Sequence, residues 1–359
     1  MTHVFVAPHP DDVALSCGGL ISGLRELGQN VTILTVYSGT GMNGPVAAYQ
    51  REALGFGSKA MWPVTAAFNR ANIRNDYPVY VGDAAPGWAA REEGLEATQA
   101  DADQAAKRFW QRSSWYRRAS IRNEPLAGQA LIDELPTQGA IVTDTVMDAA
   151  AAGDLIARRR MEDERYAYFA EASIVFLDLP DAVFRNYEGD AELLGEPHPE
   201  DEAPYEALRR EIVRLEPQKV YFPLAVGGHV DHRLCRDVGV RLLNEGRRWV
   251  MPGPEYAGIV AFYEDFPYAW WNAFNRLEDL PGDPLAAIPP GVAVTPEYAD
   301  VGDQIERKIT GIGLYASQLE RLFDDRRQMA ESVRAFGTRV AALGGRSGFA
   351  ERYWASSLV

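Results

Sequence analysis

Short apolar segments alternate with amphipathic stretches near the start of this chain. Val4–Ala7 is predicted to be a buried strand, Val13–Leu27 a helix that ends at Gly28, and Asn30–Tyr37 a second buried strand. Two continuously apolar strands joined by a helix are typical of parallel pairing, because parallel neighbours need a long crossover connection. The chain is therefore expected to build a sheet that helices cover on both faces.

The same alternation returns after residue 157 and continues through most of the chain. The predicted pairs of helix and strand are Arg159–Glu171 with Ile174–Leu179, Pro204–Leu215 with Lys219–Phe222, and Asp231–Asn244 with Gly258–Tyr263. A further helix is predicted over Asp303–Asp324, with a helical tail to Phe336. This pattern predicts an α/β fold with a mostly parallel sheet.

Between residues 39 and 157 the alternation fades. The stretch mixes Gly, Pro and Ala, with one helix predicted near Ala102–Ala119. We interpret 39–157 as a long insertion after the second strand, within a single domain over residues 1–359. Two roles stay open for it: a lid or rim of a functional site, or an extra structural layer without functional contacts.

The glycines of GTGMNG, residues 39–44, fit the dinucleotide-binding pattern G-x-G-x-x-G. They follow the second strand rather than the first, Pro45 comes at once, and no acidic residue lies about 20 positions further on. No nucleotide cofactor is therefore predicted.

Charge and cysteine content narrow the function classes. With 36 Lys and Arg against 51 Asp and Glu, the formal net charge is −15, which argues against a nucleic acid or an anionic membrane as partner. We see no secretory signal and no apolar run of the roughly 20 residues that span a bilayer. Cys17 and Cys235 are the only cysteines and are predicted to be buried thiols. The expected class is a reduced, cytoplasmic enzyme or binding protein.

Two clusters of His and Asp follow predicted strands, the first directly and the second after a short loop. The first is HPDD, with His9, Asp11 and Asp12, and the second is GGHVDH over 227–232. The second cluster supplies His229, Asp231 and His232. Since ligands of open α/β sheets bind beyond the carboxyl ends of the strands, the two clusters are expected to converge.

These side chains suit a catalytic metal site. Two neutral imidazoles and one carboxylate can hold Zn²⁺ or Fe²⁺ and leave positions open for water and substrate. A second carboxylate beside the ligand can then take a proton from the water. The alternative is that Asp11 or Asp12 caps the following helix, and that His229 and Asp231 cap the helix of the second cluster.

The motifs P8-H-P-D-D and H229-V-D-H232 resemble those of the PIG-L/LmbE-like family of metal-dependent N-acetylglucosaminyl deacetylases. Weaker similarities are RRMED (159–163), LDLPDAVFR (177–185), YFPLAVGGHVDHRLC (221–235), FYEDFPY (262–268) and KITGIGLYASQL (308–319). The resemblance covers most of residues 3–38 and 158–325, and it implies a Rossmann-like fold. The insertion 39–157 is not covered.

The resemblance also implies roles for single residues. His9, Asp12 and His232 would be metal ligands, with Zn²⁺ expected and Fe²⁺ or another divalent ion possible. Asp11 would be the general base and later protonate the leaving amine. The remaining implied roles are oxyanion stabilisation for His229, orientation of a histidine for Asp231, and substrate binding for Arg159 and Arg160.

The chain departs from the family pattern at two positions. Val13 stands where a Glu is frequent, and Gly227 stands where some members have a tyrosine that assists at the oxyanion. Either His229 acts alone at that step, or another tyrosine enters the site: Tyr187, Tyr263 or Tyr268.

Three functions follow as hypotheses. The first is a metal-dependent hydrolase that removes acetyl from an N-acetylated amino sugar or sugar conjugate. The second is an amidase of another small-molecule amide conjugate, and the third is a non-catalytic metal- or ligand-binding protein. The expected partner is a small sugar-like substrate, and a homo-oligomer is possible.

Overall fold

The computed structural model describes residues 1–40, 149–185, 187, 190–245, 258–271 and 291–358. Most of the insertion predicted over 39–157 lies outside the described residues, as do Ala102–Ala119 and residues 41–44 of the glycine-rich segment. The single-domain organisation and the role of the insertion therefore stay predictions.

The described residues form a seven-stranded sheet in the order β3-β2-β1-β4-β5-β7-β6. The strands are β1 Thr2–Ala7, β2 Asn30–Thr35, β3 Ser173–Phe176, β4 Lys219–Pro223, β5 Val260–Tyr263, β6 Val292–Asp300 and β7 Ala350–Leu358. Strands β1 to β5 pair in parallel, whereas β7 pairs antiparallel with both β5 and β6. The prediction of a mostly parallel α/β sheet is confirmed.

The helices follow the predicted alternation up to β5. They are α1 Asp12–Glu26, α2 Ala149–Phe169, α3 Asp190–Leu193, α4 Tyr205–Leu215, α5 Val230–Glu245, α6 Tyr268–Trp271, α7 Ile305–Ile312, α8 Ala316–Leu322 and α9 Arg326–Leu343. Helix α2 begins ten residues earlier than its predicted start at Arg159, inside the range interpreted as insertion. None of the described helices is long and apolar enough to cross a membrane.

The central strands are buried on both faces, which explains their continuous apolar sequence. In β1, Val4 and Val6 pack into one core cluster, and Phe5 and Ala7 pack into the cluster on the opposite face. Side chains of a strand alternate in direction, so a strand covered on both sides packs its side chains into a core on each face.

Two predictions from the C-terminal part are wrong. The helix expected over Asp303–Asp324 is a short 3₁₀ turn at Gly302–Gln304 followed by α7 and α8, and the helical tail extends past Phe336 to Leu343. The interruption falls at 313–315 and begins at the second glycine of GIG. Strands β6 and β7 were not predicted.

The segments RRMED (159–163) and YASQ (315–318) are joined in the core by hydrogen bonds. The buried Asp163 carboxylate accepts hydrogen bonds from Tyr315 Oη at 2.6 Å and from Thr35 Oγ1 at 2.7 Å. Next to it, Glu162 accepts a bond from the Ser317 backbone N–H at 2.9 Å. These contacts fix α2 against the start of α8 and against the carboxyl end of β2.

Both cysteines are buried, as predicted. Burial raises the pKa of the Cys17 and Cys235 thiols well above the usual value, which keeps them protonated and unreactive. Within YAWW, Ala269, Trp270 and Trp271 are buried in the core.

Candidate active site

The two His/Asp clusters meet at the carboxyl edge of the sheet, between β1 and β4. These strands are parallel neighbours, with Val4 opposite Val220. HPDD leads from β1 into α1, and GGHVDH leads from the loop after β4 into α5. Since β2 lies on one side of β1 and β4 on the other, this is the point where the order of the strands reverses. Ligands of open α/β sheets bind at such a point.

His9, Asp12 and His232 present three donor atoms within 4.8 Å of one another. Asp12 Oδ2 lies 3.3 Å from His9 Nδ1 and 3.3 Å from His232 Nε2. Ligands that share one ion at about 2.0–2.2 Å are spaced by about 3–3.5 Å. Two imidazoles and a carboxylate are a donor set for a divalent transition metal, so these residues fit the metal that the sequence predicts.

A second group of donors, His9, His229 and Asp231, also lies within 4.8 Å. Asp231 Oδ2 is bonded to His9 Nε2 at 2.9 Å and to the Ala182 backbone N–H at 3.0 Å, and Oδ1 pairs with Arg185. A carboxylate whose two oxygens are already occupied suits the orientation of His9 better than metal binding. The first group is therefore the better candidate.

Asp11 and Asp12 point to different partners. Asp12 Oδ2 accepts a hydrogen bond from the His9 backbone N–H at 2.7 Å, and Asp11 makes no side-chain capping bond to α1. The capping alternative is therefore wrong for both aspartates. Asp11 has φ 103°, a left-handed value that costs a non-glycine residue about 1–3 kcal/mol and is found mainly at functional sites.

The Asp11 carboxyl group is buried beside another acid. Burial and the charge of Asp12 raise the pKa of Asp11 to about 8, against the opposing effect of Arg159, whose Nη2 lies 3.9 Å from Asp11 Oδ1. Burial also raises the pKa of Asp12, but the charges of His232 and His9 outweigh it and lower that pKa below the usual value. One carboxylate of the pair is thus held in the ionised form, while its neighbour favours the protonated form.

His229 is held as a neutral hydrogen-bond donor. Its Nδ1 accepts a bond from the Asp231 backbone N–H at 3.2 Å, in the first turn of α5. Burial, with the nearby His9 and His232, lowers the pKa of His229 well below the usual value. In the neutral ring the proton therefore sits on Nε2. The capping alternative is correct for this histidine, and the capping bond selects its tautomer.

Arg159 reaches the cluster from α2. Its guanidinium bonds to Asp181 Oδ2 at 3.2 Å and to the Pro10 carbonyl at 3.4 Å, and lies 3.9 Å from Asp11 Oδ1. Asp181 in turn lies 3.8 Å from His9 Nε2. Arg159 thus lies beside Asp11 and Asp181, at the edge of the candidate metal donors.

Arg160 is directed elsewhere. It pairs with Asp178, bonds to the Ser38 carbonyl at 3.4 Å and covers the ring of Phe176 at 4.2 Å. These partners lie beside β3, so Arg160 supports the strand end rather than the metal donors.

Residues 4–70 match a family model, PIG-L, described as GlcNAc-PI de-N-acetylase. The resemblance to the PIG-L family is confirmed. The prediction that it leaves the whole of 39–157 uncovered is wrong, because the match continues to residue 70. The 2'-N-acetylparomamine deacetylase of Niallia circulans is 30% identical over 133 residues, which are 34% of this chain and 43% of that protein. The enzyme of the same name from Streptomyces fradiae is 28% identical over 166 residues, 45% of this chain and 54% of that protein. The chain thus spans about half the length of these curated relatives.

A solved structure is similar over its whole length. The zinc-inhibited form of teicoplanin deacetylase superposes with a TM-score of 0.52 at 17% identity, covering 100% of this chain and 99% of that chain. This similarity supports the Rossmann-like fold that the PIG-L resemblance implies.

Sequence analysis missed the carboxylates of Asp181 and Asp265, as well as Arg185. Asp265 bonds to the metal-site histidine His232 at 2.6 Å, and Arg185 pairs with Asp231. Asp181 and Asp265 both come shortly after a predicted strand, which is the signal that identified HPDD. Neither aspartate stands beside a histidine in the sequence, so its position after a strand did not by itself mark it as a site residue.

Two of the three tyrosines considered for the oxyanion step are engaged in the fold. Tyr187 Oη donates to Asp201 Oδ2 at 2.7 Å, and Tyr263 Oη donates to the Val6 carbonyl at 2.9 Å. Both hydroxyls hold neighbouring segments together.

Tyr268 occupies the space beside Gly227, one of the two positions at which the chain departs from the family pattern. A Cβ on Gly227 would lie 2.5 Å from Tyr268 Cδ1, and the Tyr268 ring stands edge-on to His232 with centroids 6.0 Å apart. Gly227 has φ +89°, a backbone conformation that residues with a side chain rarely adopt. In this chain a tyrosine from α6 therefore fills the place that a side chain at 227 would take.

We expect Gly227→Ala to destabilise the protein more than Gly258→Ala. Gly258 has φ +90° with nothing within 4 Å of an added Cβ, so it shares the backbone strain of about 1–3 kcal/mol but not the collision. Overpacking against Tyr268 should add a further ~1–3 kcal/mol. Denaturant unfolding of the two variants measures the difference. Equal losses would mean that Tyr268 does not fill this space.

Proposed function

We propose that this protein is a metal-dependent hydrolase that removes acetyl from an N-acetylated amino sugar or its conjugate. The observation that carries the proposal is the convergence of His9, Asp12 and His232 with a separate buried carboxylate, Asp11, beside them. The PIG-L match and the two relatives named 2'-N-acetylparomamine deacetylase support the same reaction.

His9 Nδ1, Asp12 Oδ2 and His232 Nε2 would hold the metal. A bound divalent ion supplies two effects: it acidifies water towards a pKa of roughly 7 and polarises an acyl carbonyl. We expect Zn²⁺ or Fe²⁺. Because one structural relative was solved in a zinc-inhibited form, more than one ion belongs in the tests.

Asp11 is the proton carrier in this proposal. It takes a proton from the attacking water as the water oxygen bonds to the acyl carbon. It then gives that proton to the amine nitrogen when the C–N bond breaks, so the products are acetate and a free amine. The arrangement that supports both transfers is a buried carboxyl group that lies outside the ligand set and directly next to it in the chain.

His229 and Tyr268 face the developing oxyanion in this scheme. The Nε2–H of neutral His229 is the donor, and a well-placed donor of this kind contributes about 2.7–4 kcal/mol to the rate. Tyr268 is the tyrosine proposed to assist, because its ring lies beside Gly227 and edge-on to His232. Arg159 and Asp181 form the polar wall that would contact substrate hydroxyls.

The proposed activity predicts metal-dependent release of acetate. Chelator-treated protein should be inactive, and Zn²⁺, Fe²⁺, Co²⁺ or Mn²⁺ should restore hydrolysis of N-acetylglucosamine conjugates or 2'-N-acetylparomamine. The measurement is acetate and free amine in equal amounts, with N-acetylated amino acids as a matched set that lacks the sugar.

Cleavage of the amino acid amides without any sugar substrate would favour the alternative amidase. Metal binding with no hydrolysis of either set would favour the non-catalytic alternative. The cytoplasmic location and the homo-oligomer stay predictions.

A further inference from the structure

Asp265 lies at the carboxyl edge of the sheet, two residues after β5. Its side chain is about 1% exposed, and each of its oxygens meets one donor. Oδ1 lies 2.6 Å from His232 Nδ1, and Oδ2 accepts the Val226 backbone N–H at 2.9 Å. One carboxylate thus contacts both a metal-site imidazole and the loop that carries Gly227 and His229.

The contact to His232 decides which ring nitrogen can bind a metal. A carboxylate accepts only, so His232 must carry its proton on Nδ1, and the lone pair of Nε2 faces Asp12 Oδ2. His9 has the complementary arrangement, with Asp231 at Nε2 and Nδ1 turned to the same Asp12 oxygen. Each of these two imidazoles therefore contacts a different buried carboxylate through the ring nitrogen that faces away from Asp12.

The segment around Asp265 is anchored on both sides. Glu264 turns the other way and bonds to the Trp354 ring N–H at 3.2 Å and to Arg352, both on β7. The Phe266 backbone N–H donates to Ser16 Oγ on α1 at 3.1 Å. The position of the Asp265 carboxylate is thus imposed by β7 and α1, and not by His232.

We propose that Asp265 is a positioning residue that sets the metal affinity of His232 and, through Val226, the placement of His229. The inference rests on the proposed metal site. Outer carboxylates of this kind typically change metal affinity by about 10–100-fold.

The decisive substitution is Asp265→Asn, which keeps the shape and removes one acceptor. Two donors, His232 Nδ1–H and Val226 N–H, then face one carbonyl oxygen and one NH₂ group. If the NH₂ group faces His232, the imidazole must accept on Nδ1 and carry its proton on Nε2, where it blocks the metal. If it faces Val226, two donors oppose each other and the loop must shift.

The test measures Zn²⁺ and Co²⁺ dissociation constants of the full chain by competition with a chromophoric chelator. Asp265→Asn should weaken binding by about 10–100-fold. The absorption spectrum of the Co²⁺ form should change as well, since the ligand geometry changes. Glu264→Gln is the matched control, because its amide oxygen can still accept from Arg352 and Trp354 and keep the segment in place, while the charge of this adjacent buried carboxylate is lost. It does not touch His232, so metal affinity and spectrum should stay as in the wild type.

Unchanged metal affinity and spectrum in Asp265→Asn would overturn the inference, and so would an equal loss in both variants, since that would indicate a general effect of the segment. A wild-type protein that binds neither ion would instead refute the proposed metal site itself, which keeps the two failures apart.

Discussion

Asp11→Asn is expected to lower turnover by about 10²–10⁴-fold while the metal content stays that of the wild type. The side chain of Asp11 lies outside the donor group of His9, Asp12 and His232, so its loss should not release the ion. An amide at this position cannot accept the proton of the attacking water or return it to the amine. Elemental analysis and acetate release on the same sample check both parts of the expectation.

The matched control is Asp163→Asn. Asp163 is also fully buried, and burial raises its pKa to about 6, but its partners are Tyr315 and Thr35 rather than the metal donors. Both hydroxyl groups can rotate to suit an amide, so turnover should stay close to that of the wild type. Full activity of Asp11→Asn with a normal metal content would rule out Asp11 as the general base.

Sequence periodicity identified the parallel part of the sheet because its central strands are buried on both faces. Strand β1 is apolar from Val4 to Ala7, and such runs stand out between amphipathic helices. Strand β6 carries exposed and half-exposed side chains and contains Pro296, so its sequence resembles a loop. Its pairing with β7 comes from tertiary contacts that no local pattern records.

The site was predictable where two chemical groups share a short segment. HPDD and HVDH each combine histidine and aspartate at a strand end, and the structure brings both segments together between β1 and β4. Asp265 and Arg185 act on these residues from segments without a histidine, and only the fold places them there. The direction of each aspartate was also beyond the sequence, since it depends on the left-handed backbone of Asp11.

The second large effect is expected from replacing His9 and His232 together with alanine. Asp12 then remains as the single member of the donor group, and one carboxylate does not hold a transition metal in competition with water. The bound metal per chain should fall to background, and acetate release should fall with it. A metal present at 100 times its dissociation constant stabilises the wild type by about 2.7 kcal/mol, and this gain should vanish in the variant.

His198→Ala is the control for this pair. His198 stacks on Tyr187 with ring centroids 3.9 Å apart and lies among Glu192 and Asp201 rather than at the metal donors. It should therefore retain the metal and the stabilisation that the metal gives. If the double variant kept its metal after dialysis against a chelator, the ion would have to be bound by other residues. Asp11 could then no longer be assigned as the base, because that role rests on its position beside, but outside, the donor group of His9, Asp12 and His232.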